Sequence, residues 1–147
     1  MPTDQAQATI QTLNIKKDTL IAAPIEVVFE TLLQPLGPLA EMGLKLEPRP
    51  GGRWYRDLGN DAGHFWGHVQ VIKPPKLLEI VGPMMMSYPV ASHLQYRLTE
   101  EAGAVRLTLI HQAIGLITAE HLEGVNKGWG EYVAAIKAAA EAKRAKR

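Results

Sequence analysis

From Thr118 to about Lys146 the chain runs without a proline, and Leu122, Val125, Trp129, Tyr132, Val133 and Ile136 recur in it at helical spacing. That spacing draws one apolar stripe along a long amphipathic helix. A stripe of this length must be covered by a broad apolar surface. Short strand-like segments upstream supply one, so the chain is expected to wrap a curved sheet around its C-terminal helix. Thr118 is the expected N-cap, because its hydroxyl can accept from the first free backbone amides.

The upstream order supports this reading. Residues 1–12 are polar and small and are expected to form a flexible lead, with a single domain over residues 13–147. Leu13 to Ala22 reads as a strand. Pro24 suits a first helical turn, and Val27, Val28, Phe29, Leu32 and Leu33 give that helix a buried side. Pro35, Gly37 and Pro38 end it, and Leu39 to Gly43 reads as a second short helix. Six strands follow: Leu44–Glu47, Arg53–Leu58, His64–Ile72, Leu77–Val81, Ala91–Thr99 and Ala104–Ala113. Gly59-Asn60-Asp61-Ala62-Gly63 marks one hairpin turn and Glu100 to Gly103 another. Strands in series with helices at the ends predict an α+β fold with an antiparallel sheet of six to seven strands.

Composition narrows the function. A net charge of +1 gives no electrostatic case for nucleic acid or for an anionic membrane surface. No apolar run approaches the roughly 20 residues needed to span a bilayer. The N-terminus lacks a basic segment followed by an apolar run, so a cytoplasmic location is expected. The chain has no cysteine, which removes thiolate chemistry. His64 and His68 lie four apart on an expected strand, where that spacing covers roughly 13 Å, so they cannot share one ion. No metal and no cofactor is expected. Ser87 and Ser92 lack the Gly-x-Ser-x-Gly setting of a nucleophile, and Gly51-Gly52 is too short for a phosphate loop.

Four stretches together resemble one family. They are Ala23-Pro24-Ile25-Glu26-Val27-Val28-Phe29, Pro50-Gly51-Gly52-Arg53-Trp54, the run from Gly67-His68-Val69 to Lys73-Pro74-Pro75-Lys76-Leu77, and Arg106 to His111 followed by Gly128-Trp129. In this order they resemble the START-like or SRPBCC superfamily, with the helix-grip fold of the birch allergen Bet v 1. The branch looks like the proteins related to the activator of heat-shock-protein ATPase. The resemblance implies two short helices after the first strand and a cavity between sheet and helix. Members of the superfamily bind lipids, polyketides or hormones, and some catalyse cyclisation or hydrolysis. No chaperone-binding surface is marked in the sequence.

Strand alternation then assigns the cavity wall. Leu94, Tyr96 and Leu98 share a face, as do Leu107, Leu109 and His111, and as do Phe65, Gly67 and Val69. Trp54 joins them through the resemblance. The expected lining is Trp54, Phe65, Tyr96, His111, Val125 and Trp129, with Met84, Met85 and Met86 at the mouth, where unbranched thioethers adapt to varied shapes. Each of these also suits a plain core. Gly124, Gly128 and Gly130 weaken the helix by roughly 1 kcal/mol each, which suggests a bend, close approach or space for a ligand. His111 is expected to stay neutral, through burial and nearby helix amides, and to offer a hydrogen bond inside the cavity. Arg56 is a candidate carboxylate binder or an ion-pair partner of Asp57 or Asp61. The basic tail of Lys143, Arg144, Lys146 and Arg147 is expected to complement the helix dipole.

Three functions fit this pattern. The first is a binder of a small apolar or amphipathic molecule. The second is an enzyme of the same fold, of hydrolase, cyclase or isomerase type, with His111 as acid-base group. The third is an interaction module, working through Met84 to Met86 on a protein partner or on a second copy in a homodimer.

Overall fold

The computed structural model describes residues 9–145. Over these the order is β1 (Gln11–Ile21), α1 (Ile25–Leu32), α2 (Pro38–Glu41), β2 (Leu44–Leu46), β3 (Arg53–Gly59), β4 (Ala62–Lys73), β5 (Leu77–Gly82), β6 (Val90–Glu101), β7 (Ala104–Gly115) and α3 (Ala119–Ala145). All strand pairs are antiparallel, and the sheet order is β1-β7-β6-β5-β4-β3-β2. Strands β2 to β7 form a meander, and β1 returns to the far edge beside β7. The α1–α2 segment therefore carries the chain from one edge of the sheet to the other.

Local chemistry accounts for the elements. Asn60 and Asp61 both take positive φ, 52° and 62°, the geometry of a two-residue type I′ hairpin turn that their short polar side chains tolerate. Ala102 and Gly103 repeat it at 47° and 83° in the β6–β7 hairpin. Pro24 caps α1 from an extended conformation, one position before the first helical turn. Thr118 caps α3, its Oγ1 accepting from the His121 amide at 3.2 Å. The expected polar lead is shorter than residues 1–12, since β1 already includes Gln11 and Thr12; residues 1–8 lie outside the described residues.

α3 is 27 residues long and buries Val125, Trp129, Tyr132, Val133, Ile136 and Ala140. It packs closely on β1 and α1. Gly130 marks the approach to β1, since a Cβ there would lie 3.9 Å from the Lys17 side chain. Lys143 Nζ donates to Thr31 Oγ1 and Gln34 Oε1, tying the end of α3 to α1. This is a more specific role than complementing a dipole. Lys146 and Arg147 lie outside the described residues. Alternating residues of the sheet complete the core: Leu13 and Ile15, Leu78 and Ile80, Leu94, Tyr96 and Leu98, Leu107 and Leu109 are all buried.

One irregularity changes a face assignment. Trp54 pairs with Gly67 and Tyr55 with Phe65, so Trp66 is an extra residue on β4. Such a bulge breaks strict alternation. Trp66 and Gly67 are both buried, while Phe65 turns outward with 40% of its surface exposed. The expected lining position of Phe65 is thus taken by Trp66. Two glycines make room for the bulge. A Cβ on Gly67 would lie 2.6 Å from the Val81 carbonyl oxygen, and one on Gly82 would lie 2.4 Å from the Trp66 carbonyl oxygen. Neither neighbour is a side chain that could swing away.

Gly82→Ala is therefore expected to lower the unfolding free energy by about 1–3 kcal/mol, the usual cost of overpacking. Gly124→Ala, on a helix position with no atom within 4 Å of the added Cβ, is expected to raise it by up to about 1 kcal/mol. Denaturant titration of the two variants checks both signs. Equal stabilities would contradict the packing described for β4 and β5.

Candidate functional site

The deepest polar feature of the core is a chain of three side chains. His111 on β7 is fully buried. The Trp129 indole N–H donates to His111 Nδ1 at 2.9 Å, and His111 Nε2 lies 3.0 Å from Ser92 Oγ. An indole nitrogen can only donate, so Nδ1 carries no proton and Nε2–H donates to the serine. The imidazole is therefore neutral. Burial alone lowers its pKa from 6.5 to about 4. Helix amides are not part of the cause. Both ring nitrogens are engaged by the protein, so His111 offers none to a ligand or to a reaction. The Tyr96 and Tyr132 hydroxyls are likewise bonded to each other. Burial pushes the Tyr132 hydroxyl up to about 12.

Beside this chain lies a cavity of about 330 Å³. It is lined by Trp66 of β4, by Leu39 and Met42, and by Met85 of the methionine loop. The remaining wall is the first half of α3, through His121, Gly124, Val125, Gly128, Trp129, Glu131 and Tyr132. A Cβ on Gly124 or on Gly128 would meet no atom within 4 Å. These glycines lie one turn apart and open the helix surface towards the cavity. Because α3 lies close against β1 and α1, the space remains on the opposite side, towards β4.

The expected site residues divide accordingly. Val125, Trp129 and Met85 line the cavity. Trp54 and Tyr96 border a separate narrow space of about 10 Å³, room for about one water, and otherwise fill the core. His111 lies behind Trp129. Phe65 sits on the outer face of the sheet. Met84 and Met86 are buried, at 0% and 1% exposure, and only Met85 remains at the mouth. Met84 takes a positive φ of 59°, and its amide donates to the Trp66 carbonyl oxygen at 2.8 Å. The methionine loop is thereby fastened to the bulge. Arg56 binds neither carboxylate: its Nε donates to the Met42 carbonyl oxygen at 2.9 Å, and Asp57 pairs with Lys45 at 3.0 Å.

Trp66 and His121 lie on none of the apolar faces drawn from the sequence, while Tyr88 belongs to the same apolar loop as Met84 to Met86. Trp66 was hidden by the bulge, and its one local trace in the sequence is the glycine that follows it, Gly67. His121 lines the cavity, and Tyr88 packs on it from outside the lining. The Tyr88 hydroxyl lies 2.6 Å from His121 Nδ1, and their rings stack with centroids 5.3 Å apart. The pair joins the methionine loop to the first turn of α3.

The family described as "Activator of Hsp90 ATPase homolog 1-like protein" matches residues 22–141. The chain belongs to this family. No curated protein matches it in sequence. Solved structures share the fold at low identity. The DynU16 protein of the dynemicin biosynthetic locus is 18% identical, with a TM-score of 0.67 over 89% of this chain and 48% of that one. The di-domain ARO/CYC StfQ from the steffimycin biosynthetic pathway is 11% identical, with a TM-score of 0.64 over 92% of this chain and 51% of that one. The Mll3558 protein from Rhizobium loti is 16% identical, with a TM-score of 0.68 over 89% of this chain and 99% of that one. The chain thus spans about half the length of DynU16 and StfQ. Among the described residues no helix is long and apolar enough to cross a membrane.

The neutral His111 carries a pH signature. Its folded pKa of about 4 lies below the ordinary 6.5, so its contribution is complete above pH 6.5 and is lost as pH falls towards 4. Unfolding free energy is expected to drop by about 2–3 kcal/mol from pH 7 to pH 4.5 on this account. Carboxylates such as Glu47, held at about 2 by Arg53, add a slope of their own only as pH nears their ordinary 4.5, at the end of that interval. Denaturant titrations across the interval should show a slope that His111→Gln removes. The same slope in the variant would contradict the buried neutral assignment.

Proposed function

We propose that this protein holds a small apolar or amphipathic molecule in the cavity between Trp66, Met85 and the glycine face of α3. The observation that carries this reading is an apolar space of about 330 Å³ bounded by a helix that leaves two glycines open towards it. Small-molecule sites begin at about that size and have mainly apolar walls with few polar groups. A helix that only had to be stable would carry alanine at Gly124 and Gly128. Membership of a helix-grip family agrees with this use, as do structural neighbours that take their names from biosynthetic pathways.

A second reading, an enzyme of the same fold, finds support at a different histidine. His121 borders the cavity, and the Tyr88 hydroxyl 2.6 Å away orients its ring. A positioned imidazole at the edge of an apolar space is suited to proton transfer. For the interaction module the loop offers only Met85, because Met84 and Met86 are buried.

Nile red, an uncharged apolar dye, is expected to bind the folded protein with affinity on the order of micromolar. Gly128→Leu should weaken it by about tenfold or more, equivalent to about 1.4 kcal/mol, by placing a side chain in the cavity. The variant should keep the wild-type circular dichroism. This is a cleaner probe than Trp129→Ala, which would strip His111 of its partner. Unchanged dye affinity in Gly128→Leu, or binding only to partly unfolded protein, would refute the cavity as the site.

A further inference from the structure

Among the described residues, one buried side-chain polar atom has no hydrogen-bond partner: the Trp66 indole N–H. Trp66 is 2% exposed, packs edge-on against Trp54 with ring centroids 5.0 Å apart, and forms a wall of the cavity. The contrast with its neighbours is informative. Trp129 gives its N–H to His111, His111 gives its own to Ser92, and the Tyr96 and Tyr132 hydroxyls share a bond. Among the described residues this is the one buried side-chain polar atom left unmatched, and it belongs to a residue that lines the cavity. A buried donor left unmatched is costly, so such groups are rare and ask for an explanation.

The geometry points to a neutral, apolar carbonyl compound as the ligand of this cavity, its oxygen accepting from the Trp66 indole N–H. This inference rests on the binding function proposed above and specifies its chemistry. An indole N–H calls for a lone pair. A protonated amine has none to give. A carboxylate has lone pairs but would enter a space whose lining residues include no lysine or arginine, one histidine already engaged by the Tyr88 hydroxyl, and the carboxylate of Glu131. Removing that charge from water without a cation to meet it is strongly unfavourable. A ketone or ester oxygen supplies the lone pair without the charge. The N–H is covered in the present packing, so the oxygen reaches it by displacing a side chain of the wall. Met42 and Met85, both unbranched and half-buried, are suited to yield. The Trp66 backbone stays in place meanwhile, held by the Met84 amide and by the close approach of Gly82.

Three probes of one shape separate the contributions: fluorene, fluorenone and fluorene-9-carboxylate. Isothermal titration of the wild-type protein should show fluorenone binding about fivefold to tenfold more tightly than fluorene, the worth of one net hydrogen bond. The carboxylate should bind more weakly than fluorenone. In Trp66→Phe the ratio of fluorenone to fluorene affinity should fall to about one, whatever happens to either affinity alone. Should that variant fail to fold, the wild type still decides. Its Trp66 indole proton resonance should move downfield with fluorenone and not with fluorene. Equal binding of fluorene and fluorenone with an unmoved indole resonance would overturn the carbonyl assignment and leave the apolar binding site standing. Tightest binding of the carboxylate would overturn the assignment in favour of an anionic ligand. No binding of any probe would overturn both readings.

Discussion

A single hydrogen-bonded chain, Ser92 to His111 to Trp129, joins two neighbouring strands to the helix they grip. It sets the rotation of α3 about its own axis. Trp129 can point its N–H at His111 in one helix orientation only, and that orientation presents Gly124, Val125 and Gly128 towards β4. It also sets the charge state of the core. With Nδ1 accepting from an indole, the imidazole has no second proton, and burial keeps it that way. A buried polar network is worth having only when every member is satisfied, and here every member is. The same completeness leaves His111 no free ring nitrogen to offer the cavity beside it.

The cavity follows from an asymmetric grip. α3 is drawn against β1 and α1, where Gly130 and Lys143 allow or make close contacts. The sheet is wider than the helix, so the far side needs filling. Leu39, Met42 and Met85 fill part of it from the α2 region and the methionine loop. The helix contributes only hydrogen atoms at two positions, and space remains. At the sheet the bulge turns Trp66 inward, and Met84 locks it by taking a left-handed conformation that a methionine seldom adopts. The strained residue is itself buried, and it sits between Trp66, which its amide holds, and Met85, which lines the cavity.

Much of this was legible before any coordinates. The stripe from Leu122 to Ile136 marked α3, the Asn60-Asp61 pair marked its hairpin, and Thr118 marked the cap. The neutral state of His111 was expected from burial, which is the cause, and from helix amides, which are not. What failed had physical causes. Strand parity put Phe65 inside because a bulge adds a residue that no periodicity records, and one added residue exchanges the two faces. Met84 to Met86 suit a cavity mouth, a dimer contact or a loop folded onto the core equally in sequence, and the positive φ at Met84, invisible in composition, accompanies a loop with two of the three in the core. His111 looked like a ligand group because its partners, Ser92 and Trp129, are distant in sequence. The pair of Tyr88 and His121 joins residues 33 apart, and nothing local links them.

The central claim is that the space between Trp66 and the glycine face of α3 is where a small molecule sits. A crystal structure of the protein with bound Nile red tests it most directly. The account predicts dye density against Trp66 and Trp129, beside Gly124 and Gly128, with the His111 to Trp129 hydrogen bond intact. Dye found on the outer face of the sheet, with the cavity closed by Met85 and Leu39, would contradict it.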